Sequence, residues 1–174
     1  MTGLKRAGWG AFFSKHASDL KKDRHVGRIC LQQKKKYRIM GMDGEIPAVI
    51  SGRLYHVAED PSELPVIGDW VVYKISDGHA RIESVLPRKT ALKRDTATRK
   101  GRQRSSAQVI IANVDIIFLV VGLDTEVNLR RIERYLTIMG ESGADPVIIL
   151  NKSDLCEDIG TQVDRVHSIA PDIP

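Results

Sequence analysis

Residues 146–154 read PVIILNKSD, a run of mostly apolar residues followed directly by four polar ones. A near-continuous apolar run is typical of a strand buried on both faces of a parallel sheet. The polar residues have the pattern Asn-Lys-x-Asp and follow the predicted strand at once. They therefore lie at the carboxyl end of a parallel strand, the edge at which open α/β sheets bind ligands.

This Asn-Lys-x-Asp pattern suits recognition of a guanine base. Guanine presents two adjacent N–H donor groups, and the Asp154 carboxylate could accept both in charge-assisted hydrogen bonds. Adenine lacks that donor pair, so it would leave a buried carboxylate unpaired. Asn151 could join base and loop through its amide, and Lys152 could lay its alkyl stem over the base. The alternative is a polar strand-to-helix turn with Asp154 as a helix N-cap.

The residues before and after this strand predict further α/β structure. Apolar runs at 109–111 and 116–121 are typical of strands buried in a parallel sheet. Asn128 is a suitable N-cap for a helix, and a second helix is predicted at about 157–169. The expected β-α-β crossover is right-handed, and residues 171–174 resemble the start of another strand. The apolar positions of the first helix are Leu129, Ile132, Leu136 and Met139.

Residues 25–87 predict a small barrel. Five short stretches are rich in β-branched and aromatic residues and are separated by turn signals, at 26–31, 37–42, 46–54, 66–75 and 80–85. Five strands in about 60 residues match an OB-fold, with an SH3-like barrel as the alternative that the strand pattern does not exclude. The aromatic residues that could stack on nucleotide bases are Tyr37, Tyr55, Trp70 and Tyr73, and of these Trp70 is expected in the core.

Charge is distributed unevenly within the net charge of +5. Residues 1–36 carry +8 and residues 87–104 carry +7, whereas residues 37–86 carry −4 and residues 105–174 carry −6. Two basic segments favour a polyanionic partner, and RNA is the leading candidate. The polar stretch 88–107 is predicted to be a basic linker or loop, with a solvated loop as the alternative to an RNA contact. Its candidate phosphate-binding residues are Arg88, Lys89, Lys93, Arg94, Arg99, Lys100, Arg102 and Arg104.

These segments predict a β plus α/β protein of several parts. An N-terminal extension with a short helix at about 9–20 covers residues 1–24, and the barrel covers 25–87. The basic linker occupies 88–107, and an α/β segment occupies 108–174. The longest apolar run, residues 116–122, is far shorter than the roughly 20 residues of a membrane-spanning helix. We expect neither a secretory signal nor a disulfide from the two cysteines, and therefore a cytoplasmic protein with reduced thiols.

A phosphate-binding loop is missing from the sequence. The pattern Gly-x-x-x-x-Gly-Lys-Ser/Thr, whose backbone cradles phosphates, does not occur, and none of the 14 glycines is followed by lysine. In the usual order this loop lies well before the guanine motif. Either the protein is not a GTPase, or its elements are circularly permuted and the phosphate loop would follow residue 174.

The sequence resembles the N-terminal half of the circularly permuted, ribosome small-subunit-dependent GTPases called the RsgA family. The resemblance runs over nearly the whole chain, and the Gly8-Trp9 extension is similar to one branch of the family. Its strongest segments are PVIGDWV (65–71), IESVLPR (82–88), IANVD (111–115), NLRRIERYL (128–136) and PVIILNKSDL (146–155).

This resemblance implies an N-terminal five-stranded OB-fold barrel followed by the first part of a circularly permuted P-loop-type GTPase domain, with a parallel sheet and flanking helices. It implies a GTPase that assists late maturation of the small (30S) ribosomal subunit, binds 16S rRNA and GTP with Mg²⁺, and is stimulated by the ribosome. Asn151, Lys152, Ser153 and Asp154 match the family's guanine-binding residues, with Ser153 contributing backbone only.

The family's remaining machinery matches nothing in this sequence. The phosphate loop, the Mg²⁺-binding switch elements, the catalytic histidine and the zinc ligands are all without counterparts, so no residue is assigned a catalytic or metal-binding role. We expect zinc only in a C-terminal segment beyond this chain, and no GTP hydrolysis by the chain alone. We expect the protein to be a monomer that has no membrane partner. A non-enzymatic OB-fold RNA-binding adaptor is the alternative function.

Overall fold

The computed structural model describes residues 2–34, 36–76, 78–95 and 107–174. It divides into two compact units, Met1–Asn113 and Val114–Pro174. The helices are α1 Thr2–Arg6, α2 Ala11–His16, α3 Gly52–Val57, α4 Leu129–Gly140 and α5 Ile159–Ile169. The strands are β1 His25–Gln33, β2 Lys36–Gly41, β3 Gly44–Ile50, β4 Trp70–Ser76, β5 His79–Val85, β6 Ala91–Asp95, β7 Ala107–Ala112, β8 Ile116–Gly122 and β9 Asp145–Asn151.

Five strands of the first unit close into a barrel in the order β1-β2-β3-β5-β4. The strand β4 returns to pair antiparallel with β1, and β3 pairs parallel with β5. Helix α3 lies in the connection between β3 and β4. This order and the position of the helix are those of an OB-fold, so the SH3-like alternative is excluded and the predicted barrel is confirmed.

The barrel closes because alternate side chains of its strands are apolar. Along β2, Tyr37 and Ile39 are buried whereas Lys36 and Arg38 are exposed, as expected from the two-residue period of a strand. The inward side chains of all five strands form one buried cluster that includes Ile29, Ile39 and Ile82. Tyr37 and Tyr73 belong to this cluster and Trp70 is also buried, which confirms the core position predicted for Trp70.

Two strand boundaries differ from those predicted. The stretch 46–54 was expected to be one strand, but β3 ends at Ile50 and α3 begins at Gly52. The reason is the Ser51 hydroxyl, which accepts a hydrogen bond from the Leu54 amide at 3.1 Å and caps the helix. The stretch 66–75 begins as a turn, in which Gly68 has a φ of +89°, and β4 begins only at Trp70.

The N-terminal extension forms two short helices rather than the single helix predicted at about 9–20. An extended Gly10 separates α1 from α2. Phe13 is buried against Trp70, with ring centroids 5.6 Å apart, and Trp9 meets the same indole edge-on at 4.7 Å. The expected apolar face therefore packs on the barrel, while Phe12 stays 40% exposed.

Strand β7 pairs antiparallel with β6 in the first unit, so the parallel-sheet strand predicted at 109–111 is wrong. The reason is a partner within the stretch expected to be a loop, since Ala91 and Leu92 pair with Ala112 and Ile111. Val109 and Ala112 are buried against Val66. A Cβ atom on Gly68 would lie 1.9 Å from the Ala112 carbonyl oxygen, so this close packing requires glycine at position 68.

A buried ion pair holds the turn before β4. Asp69 is fully buried, and its two carboxylate oxygens accept hydrogen bonds from the Arg88 guanidinium at 2.8 and 2.7 Å. The same carboxylate accepts from the Val66 amide at 2.9 Å. Arg88 also donates to the carbonyl oxygens of Ser62 and Leu64. One guanidinium therefore ties the 62–69 segment to the residues that follow β5.

The second unit is the predicted β-α-β arrangement. Strands β8 and β9 are parallel neighbours, and α4 begins after Asn128, whose side chain accepts from the Arg131 amide at 3.0 Å. Helices α4 and α5 pack on one face of this pair through Leu123, Val127, Ile132 and Val166. Beside β9, the Ile148 amide donates to the Pro174 carbonyl oxygen at 2.8 Å, where a further strand was predicted to begin.

Burial of the β8 strand on both faces, expected from its apolar run, is not observed in the structure. Ile116, Phe118 and Val120 point away from the helices and are 53%, 59% and 58% exposed. The reason is that α4 and α5 both lie on the opposite face, against Leu119 and Val121. Within the described ranges, no helix has the length and apolar character needed to cross a bilayer.

Replacing Arg88 by alanine should destabilise the barrel strongly. The change leaves the fully buried Asp69 carboxylate without its charged partner, which typically costs about 3–5 kcal/mol of unfolding free energy. Urea denaturation followed by tryptophan fluorescence measures this loss. The matched control is Arg38→Ala, because Arg38 and Glu45 form an exposed pair at 3.1 Å and should contribute at most about 1 kcal/mol. Equal losses in the two variants would contradict the role given to Arg88.

Candidate functional site

The predicted guanine motif lies at the carboxyl edge of the β8–β9 sheet. Asn151 is the last residue of β9 and pairs in register with Gly122, the last residue of β8. Ser153 and Asp154 continue into a short 3-10 turn, Ser153–Leu155. The sequence and the structure therefore agree on where the motif lies, at the edge where parallel sheets bind ligands.

The backbone of the motif is fixed by local hydrogen bonds. Lys152 adopts a left-handed conformation with φ of 60°, which is uncommon for a residue other than glycine. Its amide donates to the Asn151 side-chain oxygen at 2.9 Å, and the Leu123 amide donates to the Asn151 carbonyl oxygen at 2.8 Å. Held backbone of this kind, in a sparsely populated conformation, is common at ligand-binding sites.

Asp154 is exposed, and within the described residues its carboxylate has no hydrogen-bond or ion-pair partner. The alternative role as a helix N-cap does not apply, because α5 begins later and is capped by Asp158 through the Thr161 amide at 3.0 Å. Both oxygens of Asp154 are thus available to accept from a ligand. This contrasts with Asp69, whose two oxygens accept hydrogen bonds from Arg88 in the buried turn before β4.

A cleft of about 460 Å³ opens beside the motif, within the size range of nucleotide and cofactor sites. It is bordered by the ends of β8 and β9 and by the start of α4. Its polar lining residues include Asp124, Thr125, Asn128, Arg131, Asn151 and Lys152. Asp154 lies on the turn outside this lining, so the cleft and the predicted specificity residue are neighbours along the same edge.

Asp124 is a residue of this edge that the sequence analysis missed. Its carboxylate accepts a hydrogen bond from the Lys152 ammonium at 2.5 Å, and this bond lowers the pKa of Asp124 below its ordinary value. The neighbouring Glu126 pairs instead with Arg165 of α5 at 3.0 Å. A single aspartate in a loop has no characteristic sequence pattern. The signal that could have identified Asp124 is its position two residues after the end of β8.

Arg131 and Arg134 of α4 place their guanidinium groups 5.7 and 5.3 Å from the Tyr135 ring centroid. Hydrogen bonds from these two arginines lower the pKa of the Tyr135 hydroxyl. Arg131 and Tyr135 line the cleft as well, so this wall is cationic. Among the described residues, no group of three or more His, Cys, Asp or Glu side chains is arranged to hold a metal ion.

The predicted RNA-binding residues fall into three groups in the structure. Arg88 is committed to Asp69 and to two carbonyl groups, so it is not free to bind phosphate. Lys89, Lys93 and Arg94 are exposed in the first unit, and Arg94 bonds Gln108 across the β6–β7 pair at 3.3 Å. The residues that lie outside the described part of the chain are Arg99, Lys100, Arg102 and Arg104.

Comparison with known proteins agrees with this architecture. The family model for the RsgA GTPase matches residues 85–173. A small ribosomal subunit biogenesis GTPase RsgA of Syntrophotalea carbinolica is 42% identical over 172 residues, covering 96% of this chain and 47% of the relative. RsgA 2 of Lactiplantibacillus plantarum is 38% identical over 150 residues, covering 86% of this chain and 41% of the relative. The chain thus spans about half the length of the curated relatives it matches.

Two solved structures share the fold. YjeQ from Thermotoga maritima superposes with a TM-score of 0.62 at 23% identity, covering 87% of this chain and 50% of that one. YloQ, described as a circularly permuted GTPase, gives a TM-score of 0.57 at 21% identity, covering 87% and 48%. The fold is therefore an OB-fold barrel followed by the first elements of a circularly permuted GTPase domain, and the chain belongs to the RsgA GTPase family.

Proposed function

We propose that the protein is a GTPase that assists maturation of the small ribosomal subunit, and that this chain supplies its guanine-recognition loop and an RNA-binding surface on the β6–β7 pair. The observation that carries the proposal is the exposed, unpaired Asp154 carboxylate on a backbone held at the carboxyl edge of β9. Its relatives are named small ribosomal subunit biogenesis GTPases, which supports the ribosomal partner.

Asp154 would select guanine by accepting from its two adjacent N–H groups. Each hydrogen bond to a charged group contributes about 1.5–3 kcal/mol, and a base without these donors would forfeit both. Asn151 and Lys152 would shape the site from the adjoining backbone, and Ser153 would contribute backbone groups. Asp154 would therefore determine base selectivity, and its neighbours would determine the geometry of the loop.

Hydrolysis requires groups that position the phosphates, and the 174-residue sequence has no phosphate-loop motif. We therefore propose that the chain by itself does not hydrolyse GTP. In the full-length protein, GTP would be used with Mg²⁺, a C-terminal segment would bind zinc, and the 30S subunit would stimulate turnover. We also propose that the protein is a monomer and that it acts in the cytoplasm.

The RNA-binding part of the proposal rests on the basic strand β6. Lys93 and Arg94 are exposed on the β6–β7 pair, and the sequence between these strands adds Arg99, Lys100, Arg102 and Arg104. Of the aromatic residues considered for base stacking, Tyr37, Trp70 and Tyr73 are buried, and Tyr55 is 49% exposed. We therefore propose 16S rRNA binding through phosphate contacts on this surface, with Tyr55 as the accessible aromatic ring.

Asp154→Asn in the full-length protein should change the base selectivity from guanine to xanthine. An asparagine side chain offers one acceptor and one donor, which matches the N–H and carbonyl groups of xanthine rather than the two donors of guanine. GTP affinity should fall at least tenfold, given about 1.5 kcal/mol or more per lost bond, and XTP affinity should rise. Titration with both nucleotides measures this, and Asp164→Asn on the exposed side of α5 is the matched control. Unchanged selectivity would reject the guanine site.

The 174-residue chain should release no phosphate from radiolabelled GTP above the buffer blank, with or without 30S subunits. The physical reason is the missing phosphate loop, without which the transferred group is not positioned. The full-length protein, assayed at the same concentration, is the positive control. Turnover by the chain alone, at a rate abolished by Asp154→Asn, would show that the proposal is wrong.

Replacing Lys93 and Arg94 by glutamine should weaken binding to 16S rRNA and reduce its salt dependence. Two lost phosphate contacts should lower the slope of log affinity against log salt by about 1.4 for a single strand. Filter binding between low and physiological salt measures the slope. The matched control removes the same charge from α4 through Arg130→Gln and Arg134→Gln. If the Lys93 and Arg94 variant keeps the wild-type slope, β6 is not the contact surface, and an equal fall in the α4 variant would show that the contact is not specific to β6.

A further inference from the structure

The Lys152 side chain is held in place by the loop that follows β8. Its ammonium donates to an oxygen of Asp124 at 2.5 Å, and the two side chains are 49% and 36% exposed. The backbone of the same loop is fixed to the motif, because the Leu123 amide donates to the Asn151 carbonyl oxygen. The loop after β8 and the guanine motif are thus joined by both a backbone bond and a side-chain bond.

Gly122 leaves the space that this contact needs. A Cβ atom at position 122 would lie 2.5 Å from the other Asp124 oxygen and 3.7 Å from Cδ of Lys152. The carboxylate and the lysine stem therefore lie directly against the Gly122 backbone. Any larger residue at position 122 would displace the Asp124 carboxylate.

The Lys152 backbone is held in a left-handed conformation. The residue has φ of 60°, and its amide is bonded to the Asn151 side chain. The hydrogen bond from the ammonium keeps the pKa of Asp124 low, so the carboxylate is ionised at neutral pH. Backbone conformation, steric space and charge therefore all favour one position of the lysine stem before any ligand is bound.

We propose that Asp124 is a positioning residue for the guanine site: it holds the Lys152 ammonium so that the aliphatic stem lies across Gly122 and forms one wall of the base site. The inference rests on the proposed function. A lysine stem that is already ordered loses less conformational freedom when the nucleotide binds. Asp124 would therefore act on nucleotide affinity through Lys152, without touching the nucleotide itself.

A double-mutant cycle in the full-length protein tests this coupling. Asp124→Ala should weaken GDP binding about fivefold, the usual size of an ordering effect for one long side chain. It should raise KM for GTP, leave kcat unchanged and leave guanine-over-xanthine selectivity intact. In a Lys152→Met background, Asp124→Ala should have no further effect. Asp164→Ala is the control, because this exposed carboxylate of α5 lies outside the lining of the cleft and should leave affinity unchanged.

The GDP-binding measurements distinguish a failure of the role given to Asp124 from a failure of the proposed function. If Asp124→Ala binds GDP like the wild type, or weakens binding equally in the Lys152→Met background, then Asp124 does not act through Lys152. If the wild type does not bind GDP, the proposed function fails. Side-chain NMR relaxation of Lys152 then decides the positioning claim alone, since the stem should be ordered in the nucleotide-free protein and mobile in Asp124→Ala. A stem equally mobile in both would overturn it.

Discussion

The ion pair between Asp69 and Arg88 is the constraint on which the first unit depends. The turn that it closes leads directly into Trp70, the buried residue on which Trp9 and Phe13 pack. The same turn includes Gly68, whose carbonyl oxygen accepts from Arg28 and from the Asn113 amide group. Asn113 is the last residue of the first unit and has φ of 55°. Barrel, N-terminal helices and the end of β7 therefore meet around one buried carboxylate.

The order of elements could be predicted from the sequence because each has a clear local pattern. The apolar runs at β8 and β9, with the capped helix between them, have the periodicities of strand and helix. The predictions were wrong where the pairing or burial of a segment depends on another segment that is distant in the sequence. The strand β7 has an ordinary buried-strand pattern, but its neighbour β6 lies in a polar, basic stretch. Likewise, nothing local shows that both helices of the second unit cover one sheet face.

The candidate site could be predicted in part, because some of its residues are adjacent in the sequence and others are not. Asn151, Lys152 and Asp154 form a contiguous motif whose chemistry can be read from residue types. Asp124 is distant in sequence and approaches Lys152 only because β8 and β9 are parallel and in register, with Gly122 opposite Asn151. Arg88 shows the opposite case, since its charge suggested a phosphate contact, whereas in the fold it pairs with the buried Asp69 carboxylate. Residue type identifies a possible role, and topology decides which role is taken.

The separation into two units has a consequence for how unfolding is observed. Both tryptophans, Trp9 and Trp70, belong to the first unit and pack together there. The β8–β9 sheet is packed on one face only, with Phe118 and its neighbours exposed on the other. Two compact units with such different burial need not open in one cooperative step, and regions of low burial open first. Indole emission therefore does not report on the second unit, and amide hydrogen exchange along β8 and β9 is the measurement that detects its local opening.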